Sequence, residues 1–199
     1  MGAPVQTLDQ HLDLRRKPLD VPWADRFRAV QLELNVEVSP RYTPDQRLEL
    51  GKVIEQPGTT WCNVYVTDFV RLMGVPAPTH WVLRDGAPAA VGKGTELRAN
   101  GLIDWFDTHG ARYGWMNADA ATAQSAADRG HLVVVGWKNP KPPGPGHVAV
   151  VLGRDRITQA GRKNHFVCTV RMGFGDLKPL KWYVQMDRPG GHNDGVRNG

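Results

Sequence analysis

The chain has 199 residues, 41% of them hydrophobic and 23% charged, with seven Trp, 22 Gly and 15 Pro. That length and balance suit one globular domain, with or without an N-terminal extension, and exclude disorder as the main state. The formal net charge of +5 implies attraction to polyanions, but Arg and Lys are scattered and do not decide between nucleic acid, a membrane surface and an anionic bacterial envelope.

The opening residues MGAPVQTLDQHLDLRRKPLD lack the uninterrupted apolar core of a secretory signal. No other stretch approaches the roughly 18 apolar residues of a membrane span. The expectation is a protein made in the cytoplasm without a signal peptide or transmembrane segment. Its two cysteines, Cys62 and Cys168, form no disulfide framework, and cytosolic synthesis argues against a bond between them.

Residues 1–50 read as a helical extension packed on the core. It contains a helix around Asp25 to Asn35 and a second opened by Thr43 as cap and Pro44 in the first turn. A third helix follows, because Thr60 can cap it, Cys62, Tyr65, Val66, Phe69, Val70 and Met73 recur at helical spacing, and Gly74 with Pro76 ends it. Shorter helices are predicted near Gly101 to His109, closed by Gly110, and near Ala120 to Arg129, capped by Asp119 and closed by Gly130.

The pattern then changes to short β-favouring runs parted by turn residues: HLVVVGW from His131, HVAVVL from His147, RITQA from Arg156, HFVCTV from His165 and KWYVQM from Lys181. A Pro/Gly loop from Asn139 to Gly146 joins the first two. Helices first and strands afterwards predict an α+β domain over 51–187 with a mainly antiparallel, five-stranded sheet. The stretch 188–199 has no apolar periodicity and reads as a flexible tail.

In TTWCNVYVTDFVRLMG, Cys62 falls at about the second position of a helix, where unpaired N–H groups and the macrodipole favour a thiolate. A cationic neighbour at such a place lowers a thiol from its usual pKa of ~8.5 by several units. On position alone, a small buried core thiol is the commoner outcome. A nucleophile also needs an imidazole as base and a third polar group to hold it. His147 opens a strand straight after the Pro/Gly loop, and Gln159 lies in the next strand. A hairpin around Gly153, Arg154 and Asp155 would bring the two to the same end, with Gln159 accepting the Nδ1 proton of His147. Asn164 is the alternative third residue. The Cys62 backbone N–H is the simplest oxyanion donor, with Asn63 and Tyr65 as candidates for a second.

The order helix-N-terminal Cys, then strand GHVAVV, then a nearby polar residue resembles the NlpC-type and CHAP superfamily of papain-like peptidoglycan hydrolases. The resemblance covers Gly58 to about Val184 and includes TWCN, HLVVVGW, THWV, ANGLIDWF, WKNP, QAGRKNHF and GFG. It implies hydrolysis of a stem-peptide or muramoyl amide bond without a metal or other cofactor. The third position departs from the family pattern: Gln159 stands where NlpC-type enzymes usually have His and CHAP enzymes Glu or Asn, so a neutral triad is implied. Trp61, Asn63, His80, Trp81, Trp137, Asn139 and Phe174 are candidate cleft residues, aromatic platforms and amide donors that suit glycan and peptide ligands.

Other chemistries fit less well. His80, His109, His131, His147, His165 and Cys168 show no HExxH or CxxC spacing for zinc. Neither a P-loop nor a strand-linked GxGxxG is present, and Ser39 and Ser125 lack a nucleophile elbow. The expected protein is therefore a monomeric phage endolysin or similar lytic enzyme that reaches peptidoglycan and the anionic envelope surface after release, with no nucleic-acid partner. The alternatives are a secreted antibacterial amidase effector and a non-catalytic phage virion or wall-binding module on the same scaffold.

Overall fold

The computed structural model describes residues 23–49, 52–141, 143–177 and 179–187. The start of the expected N-terminal extension and the tail over 188–199 lie outside the described residues.

Helix α1 runs Trp23–Leu34 with Asp25 in its first turn, where a carboxylate complements the helix dipole. It ends at Asn35, whose positive φ of 42° cannot continue a helix. Val30, Leu34 and Val36 are buried in the main core. The helix expected after Thr43 does not form. A 3-10 turn over Pro40–Tyr42 leads instead into a hairpin of β1 (Gln46–Glu49) and β2 (Lys52–Glu55). The cause is Asp45, which adopts φ 59° and whose carboxylate accepts the Gly58 N–H at 2.6 Å. Asp tolerates this left-handed conformation because its side chain bonds local backbone.

Helix α2 (Cys62–Leu72) is buried along nearly its whole length and ends where Gly74 takes φ 88°. Trp61, not Thr60, occupies the cap position, and no side chain caps the helix. The Trp61 indole instead donates to the Thr43 and Gln46 carbonyls at 3.0 and 2.8 Å, fastening the hairpin beside the helix start. A small hairpin of β3 (Trp81–Val82) and β4 (Thr95–Glu96) precedes α3 (Ala99–His109). Helix α4 (Ala120–Asp128) is capped by Asp119, which accepts the Thr122 N–H at 2.8 Å.

The main sheet has six antiparallel strands rather than five: β5 (Trp115–Ala118), β6 (Val133–Trp137), β7 (His147–Gly153), β8 (Arg156–Gln159), β9 (His165–Thr169) and β10 (Lys181–Gln185), in the order β5-β10-β6-β7-β8-β9. The added edge strand, WMNA, contains no β-branched residue and is held by pairing with β10. A five-residue helix α5 (Val170–Phe174), capped by the Thr169 hydroxyl, follows β9.

Alternation along the central strands divides the core in two. Val134, Val148, Val150 and Tyr183 pack with α1, α2 and α3, while Val133, Val135, Ala149, Val151 and Ile157 pack with α4, Cys168 and Phe174. Helix α3 comes close to β6 because residue 136 is glycine: a Cβ there would meet Ile103 Cγ1 at 2.9 Å. The result is a mixed α+β fold in which α2 abuts β7 and the helix start faces the strand start.

Candidate active site

The turn between β7 and β8 sets the site's register. Gly153 pairs with Arg156, leaving Arg154 and Asp155 as a two-residue loop with φ 49° and 56°. Such angles match the strand twist, and the Asp128 carboxylate accepts the Arg154 N–H at 2.9 Å. The hairpin carries His147 and Gln159 to its open end, where His147 Nε2 and Gln159 Oε1 lie 2.6 Å apart.

An amide oxygen only accepts, so His147 Nε2 carries the proton in this bond. Gln159 Nε2 faces the Lys163 carbonyl at 3.4 Å, which fixes the orientation of the amide. The ring nitrogen bonded to Gln159 is thus Nε2, not the expected Nδ1, and Nδ1 is left for the thiol. Phe174 packs against the imidazole with ring centroids 4.9 Å apart.

Cys62 is the first residue of α2 and is 3% exposed. Burial works to raise its pKa, but the hydrogen bond and charge of His147 and the backbone N–H groups of Val148 and Asn63 outweigh it, so the thiol is held below its usual value. His147 shows the converse. Burial works to lower it, and the hydrogen bond and charge of Cys62, with the Gln159 bond, bring it above the usual imidazole range. Each group favours the charged form of the other, the relation of a thiolate–imidazolium pair.

Asn164 takes no part in this chain. Its amide donates to the Val36 and Tyr42 carbonyls at 2.9 and 2.8 Å and its oxygen accepts the Gly161 N–H, so it ties the loop after β8 to the segment after α1. The two candidate oxyanion side chains are also committed elsewhere: Asn63 donates to the Leu97 carbonyl at 2.8 Å, and the Tyr65 hydroxyl bonds Thr158 at 2.6 Å.

Cys62 opens onto a cleft of about 590 Å³. Of the expected cleft residues, Trp61, Asn63, His80 and Trp81 lie on its wall, whereas Trp137, Asn139 and Phe174 do not. Trp137 packs with the second core cluster and Phe174 backs the imidazole. Asn139 braces the Pro/Gly loop by donating to the Pro145 carbonyl and receiving the Lys141 N–H. That loop, through Pro143 to Gly146, and the β1–β2 hairpin, through Arg47 and Leu48, also line the cleft.

Behind the cleft, Asp68 is 2% exposed and bonded by Arg41 at 2.6 Å, Tyr42 at 2.8 Å and Arg71 at 3.1 Å. Burial alone would raise this carboxyl, but Arg41 and then Arg71 hold it below the usual range. Beside it, burial pushes His80 down to about 4; Asp68 opposes the shift, and Arg41 and Arg71 add to it. His80 is therefore neutral at neutral pH.

The chain matches no known protein family model and no curated protein. Among the described residues, no group of three or more His, Cys, Asp and Glu comes together as a metal site, and no helix is long and apolar enough to cross a membrane. Sequence reasoning missed Gln56 and Arg98, both on the cleft wall. Gln56 lies where a helix was expected to pass into the next, and Arg98 precedes a helix without belonging to any motif.

Proposed function

We propose that the protein is a cysteine amidohydrolase of papain-like architecture that cleaves an amide bond of bacterial peptidoglycan. The observation that carries this reading is the chain from Cys62 through His147 to Gln159, with the thiol lowered, the imidazole raised and the ring held at 2.6 Å.

In this mechanism the Cys62 thiolate adds to the amide carbonyl, and the carbonyl π electrons pass to oxygen. Collapse of that adduct breaks the C–N bond, and the His147 imidazolium gives its proton to the leaving amine. Neutral His147 then takes a proton from water, whose oxygen attacks the thioester and releases the acid and the thiol. Gln159 keeps the imidazole oriented through both transfers without offering a second negative charge.

Peptidoglycan is favoured as substrate by the likeness of the Cys and His segments to wall hydrolases, and by an open cleft that joins Trp61 and Trp81 to polar and cationic groups. The setting that fits is a lytic enzyme of phage type, made in the cytoplasm and acting on the wall after release.

Digestion of purified peptidoglycan by the wild type and by Cys62→Ala, with mass spectrometry of the fragments and an EDTA control, tests the proposal. The wild type is expected to release amide-cleaved fragments, with or without EDTA, and the variant none. Equal solubilisation by Cys62→Ala would sink the cysteine mechanism, and a wild type that cuts nothing would leave the scaffold as a binding module.

A further inference from the structure

The cleft that holds Cys62 is electrostatically one-sided. Among the described residues, Arg41, Arg47 and Arg98 stand on its wall against the single carboxylate of Glu96. Arg41 is committed to the buried Asp68. Arg98 is exposed, and its guanidinium has no ion-pair or hydrogen-bond partner among the described residues.

Arg98 occupies the cap position of α3, an eleven-residue helix that no side chain caps. The first hydrogen bond of that helix runs from the Leu102 N–H to the Arg98 carbonyl at 2.8 Å. The N–H groups before it are unmatched within the helix, and two of the residues that carry them, Ala99 and Asn100, lie on the cleft wall. Such a terminus favours an anion, and an adjacent guanidinium adds a fixed positive charge with two parallel donors.

An independent feature on the same wall calls for a polar ligand. His80 is 6% exposed, yet its ring has no hydrogen-bond partner among the described residues. A buried polar ring is normally satisfied. His80 lies on the cleft wall, so a ligand in the cleft can supply a partner.

We propose that Arg98 and the N-terminus of α3 bind a free carboxylate of the substrate, with His80 hydrogen-bonding the same segment. The protein then selects peptides that carry an acidic group near the amide attacked by Cys62. In a wall stem peptide that group is the α-carboxylate of the γ-linked glutamyl residue, which is free in some walls and amidated in others. The inference rests on the hydrolase reading for its substrate, but its binding step can be measured without turnover.

The test uses two synthetic stem tetrapeptides that differ only in this group, carboxylate or carboxamide. Their affinities are measured by calorimetry on the full chain carrying Cys62→Ser, and their hydrolysis by the wild type. The acid is expected to bind about tenfold more tightly than the amide, the effect of one charge-assisted contact. Arg98→Gln should bring that ratio towards one and Arg98→Lys should restore part of it, because a lysine keeps the charge but not the planar fork. Circular dichroism of both variants checks that the fold is intact. Equal affinities in the Cys62→Ser protein, a ratio unchanged by Arg98→Gln, or no binding of either peptide would overturn the proposal. Acid-selective binding without cleavage of either peptide would count against the hydrolase reading alone, and cleavage without selectivity against the carboxylate site alone.

Discussion

His147 and Gln159 are joined by a hydrogen bond of 2.6 Å from Nε2 to Oε1, which leaves the other ring nitrogen free to exchange a proton with Cys62. The bond is built by the β7–β8 turn, so the orientation of the base is a property of backbone register as much as of side chains. Gln159→Ala removes the acceptor and lets the ring rotate. Its kcat on a peptide substrate is expected to fall on the order of 10²-fold, the low end of what positioned acid–base catalysis contributes. Asn164→Ala should lower the urea midpoint through loss of its bonds to Val36 and Tyr42 while keeping most of the activity per folded molecule. A larger kcat loss at Asn164 than at Gln159 would reverse the assignment.

The opposed shifts of Cys62 and His147 define a pH window. The thiol is held below its usual value, so thiolate forms as pH rises through that lowered pKa. The imidazole is raised, so its proton persists until pH passes the raised value. The charged pair is populated between the two limits. The rate of Cys62 alkylation by iodoacetamide should already be high below pH 8, instead of climbing only towards the ~8.5 of a free thiol. Gln159 contributes to the raised imidazole value, so Gln159→Ala should move the alkaline limb of kcat to lower pH. An alkylation profile with a single ordinary thiol pKa would show that the pair does not form.

Gly173 supports the same bond from behind. A Cβ at this position would meet Ile157 Cδ1 at 2.5 Å and Gln159 Oε1 at 2.7 Å, closer than side chains tolerate. Gly173 lies in α5 with no positive φ, so Gly173→Ala costs no backbone strain and acts by displacing the end of the Ile157 side chain and pushing Gln159 away from His147. The expected result is a fall in kcat of about tenfold, part of the loss from deleting the amide, with little change in KM and with Cys62 still titrating. An NMR measurement of the His147 pKa should find it lower than in the wild type.

Much of this site was legible in the sequence because each part is written locally. Helical spacing from Cys62 to Met73, the glycine at 74 and the turn at Arg154–Asp155 fix the Cys62 helix and the hairpin without help from distant residues. The β1–β2 hairpin was not legible, since Thr43 and Pro44 are as good a start for a helix as for a turn, and the choice rests on the left-handed Asp45 and its bond to Gly58. The sixth strand was missed for a related reason: WMNA has weak β preference and becomes a strand only through pairing with β10. Trp137 and Phe174 read as cleft aromatics in sequence. Phe174 belongs to the second core cluster and Trp137 packs against it, which no motif could have revealed.

The proposed mechanism calls for a second oxyanion donor, which can be sought by elimination among the cleft amides. Asn63 is bonded to the Leu97 carbonyl, and Asn100 is bonded through both ends of its amide, to Gly144 and Asn139. Gln56 also lies on the wall, and its carboxamide has no partner among the described residues. It stands on the hairpin side of the cleft, held by its backbone N–H to the Asp45 carbonyl at 2.7 Å, so the left-handed Asp45 that displaced the expected helix also places this amide. A donor aimed at the developing oxyanion is worth about 10²- to 10³-fold in kcat. Because Gln56 is solvent-exposed, Gln56→Ala should cost at the lower end, on the order of 10²-fold, with KM nearly unchanged, since the bond is made mainly in the transition state. Gln56→Glu should be no better, because a carboxylate repels the oxyanion. A loss confined to KM would make Gln56 a substrate contact instead, and leave the Cys62 backbone N–H as the sole donor.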